Sequence, residues 1–193
     1  NGPHISFNSQ TSYQYIQDKM GIDQDFSPRN IFYGQNKIRQ HMYCQEFTVK
    51  SVNKSRYHWI TGAFVFRQTI NRKVDLSRFT DTTRHLTNSG IPTQGIAFYH
   101  QSTLDLLQGL SCSVGLRYDY EHARCDFSKV QQLLNGNGET KSLEQFNRSL
   151  HFGQFTPRFS MQYLSSHNQL FYASVSKGYK AGGFNVSFLN NDD

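Results

Sequence analysis

The chain has 193 residues, a mass of 22.4 kDa, a formal charge of +6 and a mean hydropathy of −0.65. Only 36% of its residues are hydrophobic but 15% are aromatic, which argues against disorder, because disordered chains lack the aromatic and β-branched residues that bury area. The longest largely apolar run, residues 60–66, is far shorter than the roughly 18 residues of a spanning helix, and the scattered basic residues form no recognition helix or zinc-finger spacing that would suit nucleic acid.

Hydrophobic alternation of period two predicts strands near residues 4–13, 38–50, 57–71, 95–104, 109–122, 149–163 and 169–180. In the first, Ile5, Phe7 and Tyr13 share one side, against His4, Ser6, Asn8 and Gln10 on the other. The third is apolar on both sides around residues 60–66, so its facing stays open. The fifth is the clearest. Leu110, Cys112, Val114, Leu116, Tyr118 and Tyr120 alternate with Ser111, Ser113, Gly115, Arg117, Asp119 and Glu121. In the sixth, Phe155, Phe159, Met161 and Tyr163 alternate with Thr156, Arg158, Ser160 and Gln162. No long helical pattern competes, although residues 130–134 could form a helical turn inside a loop.

Between these strands, short connections (51–56, 105–108, 164–168) alternate with long polar ones (18–37, 72–94, 123–148). Compact soluble domains rarely carry irregular loops beyond about 12–15 residues. Transmembrane barrels, in contrast, have short turns at one rim and long loops at the other. The expected fold class is therefore all-β: an antiparallel up-and-down transmembrane β-barrel segment of about seven strands. Facing follows from energy, since Arg117 turned to hydrocarbon would cost about 2–4 kcal/mol near the midplane. The row from Leu110 to Tyr120 is thus expected outward, in contact with lipid. Trp59, Tyr163 and Tyr172 near short turns, with Tyr13, Tyr43, Tyr118 and Tyr120 near long loops, are expected to form two interfacial girdles.

Little points to catalysis, cofactor or metal. Cys44, Cys112 and Cys125 show no C-x-x-C spacing, which disfavours a disulfide framework or zinc site and leaves a single bridge open. The 8 histidines show no i, i+4 or H-x-E pairing. Residues 109–113 approach a nucleophile elbow but end in serine and open a strand.

The stretch 171–185, FYASVSKGYKAGGFN, resembles a motif in the barrels of TonB-dependent outer-membrane receptors. QEFTV at 45–49, WITGAFVF at 59–66, VGLRYDY at 114–120 and TPRF at 156–159 are similar to the same family in the same order, the last where such barrels have a Pro-containing strand start. The resemblance implies a barrel of about 22 strands around an N-terminal plug. It also implies active uptake of scarce nutrients, chiefly ferric siderophores, energised by the TonB complex through that plug. The expected location is the outer membrane of a Gram-negative bacterium, in contact with its lipid. No plug, coupling box or terminal aromatic is seen. Residues 1–193 are therefore expected to be an internal, partial barrel that would not transport alone.

Within that frame, Glu46, Arg117, Asp119, Glu121 and Arg158 are expected to line the lumen, either docking the plug or simply keeping the wall wet. Tyr33, Arg78, Arg84 and His85 are expected on long loops, where aromatic and cationic groups suit anionic aryl chelates. The motif residues Lys177, Gly178, Tyr179, Gly182, Gly183, Phe184 and Asn185 suit a strand leaving the barrel, the glycines allowing close approach. The alternative is a soluble all-β binding module, a sandwich or jelly roll, in which Leu116, Tyr118, Phe159 and Met161 would face a second sheet. A passive porin-like channel would differ only in having no plug.

Overall fold

The computed structural model describes residues 4–53, 55–134, 140–184 and 186. Among them every regular element is a strand: β1 Ile5–Asp23, β2 Phe32–Ser51, β3 Tyr57–Arg78, β4 Thr83–Leu107, β5 Leu110–Leu133, β6 Thr140–Leu164 and β7 Leu170–Ser176. They form one antiparallel sheet in sequence order, each strand paired with the next.

The strands are much longer than their hydrophobic alternation suggests. β4 and β6 each run 25 residues, more than twice the 9–11 or so that hydrocarbon requires. The polar stretches expected as irregular loops at 18–37, 72–94 and 123–148 are mostly continuous strand. Residues 130–133 end β5 and Leu134 opens the turn after it, with no helical turn. Above the apolar band the outward face turns polar, while the opposite face carries Ile70, Val74 and Leu76 of β3 and the buried Cys125 and Phe127 of β5, so pairing continues with the apolar side exchanged.

Register resolves the facing. Val114 and Leu116 on β5 lie beside Phe159 and Pro157 on β6 and beside Ser102 and His100 on β4. The same face continues through Trp59, Thr61, Ala63 and Val65 of β3 to Phe47 and Val49 of β2. The opposite, polar face of β3 carries Ile60, Gly62, Phe64 and Phe66. Tyr172 departs from expectation, because it pairs with Gln162 on the polar face, and Phe171 beside Tyr163 takes the girdle position.

No second layer covers the apolar face among the described residues. Leu116 is 50% exposed, Val114 56% and Phe98 55%. The buried apolar side chains are Ala97, Ala123, Cys125 and Phe127. A water-soluble domain needs two packed layers around a core, so the soluble sandwich is not what this chain forms. Cys44, Cys112 and Cys125 are all free.

Two local features fix the turns and the last pairing. Gly109 has φ of 79°, and an added Cβ would collide with the Leu164 carbonyl. Only glycine suits such a position, so the β4–β5 turn is held against the end of β6. Pro157 lies in the middle of β6, not at a strand start. Its carbonyl accepts from Lys177 N at 3.0 Å, so its missing N–H faces the same side and the β6–β7 ladder stops at Ser176.

Candidate functional site

The polar face gathers a connected cluster around Tyr99 of β4. Its hydroxyl donates to Glu46 Oε1 on β2 at 2.8 Å and lies 3.0 Å from Thr48 Oγ1. To reach across β3 the phenol end of the ring passes over Gly62, its register partner, where any Cβ would collide with it. The Arg117 guanidinium of β5 sits over the same ring, 5.9 Å from its centroid. Arg117 in turn donates to Asp119 from Nε at 2.9 Å and from a terminal nitrogen at 2.7 Å. β2, β4 and β5 are thereby tied, across β3, by one hydrogen-bonded, cation–π network.

The residues expected on the polar face, Glu46, Arg117, Asp119, Glu121 and Arg158, do share one face. They are not one network. Glu46, Arg117 and Asp119 join through Tyr99, whereas Arg158 borders a hollow of about 350 Å³ with Glu46, Arg117 and Lys177. Tyr99 escaped sequence reading because an aromatic counts as apolar. The signal for it was Gly62 inside a strand, a mark of close approach.

Tyr33, Arg78, Arg84 and His85 lie in paired strands rather than loops, and they do not converge. Tyr33 and Arg84 belong to the face that carries the apolar band, and Arg78 and His85 to the polar face. Arg84 is held by Asp75, with Nε donating at 2.9 Å, and that bond raises its already high pKa. Arg78 stacks over Phe32 at 5.5 Å. Burial, with Arg78 and Lys129 nearby, lowers the His85 pKa.

The glycine-rich motif follows β7 rather than extending it, since the strand ends at Ser176 and not near 180. Gly182 lies against the Phe152 ring, 2.7 Å from where its Cβ would stand. Tyr179 lies within electrostatic reach of Glu121 and Asp119 on the polar face. Gly178 and Gly183 have open space around them. Lys177 bonds to Pro157 as above, Phe184 follows in the same irregular segment, and Asn185 is outside the described residues. Among the described residues no three His, Cys, Asp or Glu side chains converge as a metal cage.

Two kinds of likeness bear on these faces. A family model described as TonB dependent receptor-like, beta-barrel, matches residues 2–193. The fold matches the crystal structure of the ferric yersiniabactin uptake receptor FyuA from Yersinia pestis with a TM-score of 0.74 at 15% identity. That match covers 96% of this chain and 27% of the other, so the chain spans about a quarter of that receptor's length. The ferric-catecholate import receptor Fiu from E. coli K12 matches at a TM-score of 0.36 and 10% identity, over 88% of this chain and 35% of its own. That value is too low to add to the argument.

Proposed function

The chain belongs to the TonB-dependent receptor-like β-barrel family, a family of receptors rather than enzymes, and from that premise we propose that it forms part of the wall of an outer-membrane nutrient importer. The observation that carries this is the single uncovered sheet, whose outward face has an exposed apolar band matched to hydrocarbon, while at the same level the opposite face carries the charged and hydrogen-bonded cluster of Glu46, Arg117 and Asp119. Both lateral edges support it. Among the described residues β1 has no partner on its outer edge along its 19 residues, and β6 has none on its β7 side beyond Pro157 towards Thr140. Long free edges invite pairing, and further strands closing a barrel would satisfy them.

In this reading the polar face lines the lumen. The Glu46–Tyr99–Arg117–Asp119 network presents hydrogen-bonding groups to an enclosed plug. The cargo is a ferric siderophore or similar chelate, captured by the long hairpins, and transport is energised by the TonB complex acting through the plug. The chelator itself supplies the iron ligands, so no protein metal cage is needed.

The test is uptake by a strain whose only ferric-siderophore receptor is the full-length chain carrying this segment. Growth on candidate chelates as sole iron source is expected for one class and should be lost with TonB or with a protonophore. Uptake that persists without energy would indicate a passive channel instead. Failure on every iron chelate, with a correctly folded receptor, would redirect the cargo to haem, cobalamin or glycans.

A further inference from the structure

The outward face of the β5–β6 hairpin sets two histidines directly opposite one another. His122 and His151 are register partners, one side-chain row beyond Tyr120 and so above the apolar band. Their rings stack almost parallel, with centroids 4.3 Å apart and 8° between the planes. His151 is exposed and His122 half-buried. The Tyr120 hydroxyl lies 3.2 Å from His151 Nδ1, whereas His122 makes no hydrogen bond among the described residues.

Packing alone does not account for this arrangement. On its other face the same hairpin stacks Phe127 on Phe146 at 4.8 Å, a pair with no ring nitrogens. His41 of β2 is oriented in a similar way, its Nδ1 3.0 Å from the Tyr13 hydroxyl, but its register partners are Tyr15 and Thr69. Among the described residues the β5–β6 pair alone sets an oriented imidazole against a second one.

Two nitrogens bound to one ion, each about 2.0–2.1 Å from it, stand at most ~4.2 Å apart. Rings facing at 4.3 Å reach that span by a small turn about the broad χ2 of histidine. In the tautomer whose Nδ1–H donates to Tyr120, His151 keeps its lone pair on Nε2. A hydrogen bond on the remote nitrogen is the usual way a metal-bound imidazole is oriented. Beside His122 a hollow of about 210 Å³, lined also by Arg67, Gln94 and Arg124, leaves room for water. Asp126 pairs with Arg124, so Arg67 is the cation that opposes a bound ion.

We propose that His122 and His151 bind a late first-row divalent metal ion, Cu(II) ahead of Ni(II) and Zn(II), with waters completing its sphere. Imidazole nitrogens favour that order, whereas a hard ion such as Mg(II) prefers oxygen. Tyr120 is a positioning residue that does not touch the ion. The site depends on the pairing of β5 with β6, not on the identity of the cargo.

The test is Cu(II) binding to the full-length chain carrying this segment, folded in detergent in a buffer that does not coordinate metal. Electron paramagnetic resonance counts the nitrogens on the ion, and titration calorimetry gives the affinity. The folded parent should show splitting from two nitrogens. The variant His122→Gln/His151→Gln should abolish it and weaken binding by roughly a hundredfold, the gain expected from holding two ligands together. Tyr120→Phe leaves both ligands in place. It should keep the two-nitrogen splitting while weakening binding by about tenfold, through loss of the group that orients His151. Arg67→Gln should tighten binding. Heat-modifiable gel mobility reports the folding of each sample. Where the double variant loses it, His122→Gln alone carries the comparison and should leave splitting from one nitrogen. A two-nitrogen signal that persists in the folded variants, its absence from the folded parent, or displacement of Cu(II) by equimolar Mg(II) overturns the site.

Discussion

Tyr99 shows how a single side chain can organise a wall. Its ring spans β3 only because Gly62 has no Cβ, and its hydroxyl ends on Glu46. Tyr99→Phe should cost about 1 kcal/mol, the net worth of one hydrogen bond. Gly62→Val should cost about 1–3 kcal/mol through overpacking, since the new carbons meet both the ring and the Phe47 carbonyl. Urea midpoints read by gel mobility would measure both, and equal, negligible losses would mean the network is decorative. His85 carries a pH signature. Its pKa is lowered by burial first, then by Arg78 and Lys129, with Asp81 acting the other way. A folded value below the unfolded ~6.5 means that stability is fully present above about pH 6.5 and is lost as pH falls through the folded value. Amide exchange in the β3–β4 hairpin, corrected for intrinsic rate, should therefore accelerate as pH falls below about 6.5. His85→Gln should remove that acceleration. If it does not, another group is responsible.

At the scale of the element, the hairpins explain why alternation underestimates strand length. Where a strand faces lipid on one side and polar groups on the other, its residues must alternate, and β5 is plain from Leu110 to Tyr120. Beyond the band lipid no longer enforces an apolar outward row, and pairing persists through backbone hydrogen bonds and cross-strand contacts such as Phe127 stacked on Phe146 and Arg72 donating to Asn36. The first hairpin closes over residues 24–31 through Asp25, whose carboxylate accepts from Ser27 N, Ile31 N and Phe32 N at 2.9, 2.9 and 3.0 Å. These bonds, led by the one from Ser27, lower its pKa. Their contribution is present above the unfolded carboxylate pKa and is lost as pH falls through the folded one. Asp25→Ala should speed exchange at the Ile31 and Phe32 amides while leaving the rest of β2 unchanged. Unchanged exchange at those two amides would show that the turn closes without it. The same lesson applies to Pro157, whose position in β6 and missing donor decide where β7 stops.

For the whole molecule, the uncovered apolar face makes the solvent part of the fold. Leu116→Arg, near the middle of the band, should destabilise the bilayer-folded receptor by about 2–4 kcal/mol, whereas Gln101→Arg on the opposite face should be nearly neutral. Denaturant titration of the full-length chain in vesicles measures both. Equal effects from the two substitutions would mean that the faces are not distinguished by lipid.

Residue order alone determined the strand class, the neighbour-to-neighbour topology and the facing of β1, β5 and β6, because burial of alternate residues in a different medium is a local, repeating constraint. The aromatic–glycine motif was enough to point to the family. Tertiary structure decided the rest. The reach of the hairpins into water, the facing of β3, the place of Tyr172 on the polar face and the joining of Glu46 to Arg117 through Tyr99 all depend on register between strands. Register is a relation between distant residues, and so is the facing of His122 by His151. Those two rings become a pair only when β5 and β6 lie side by side.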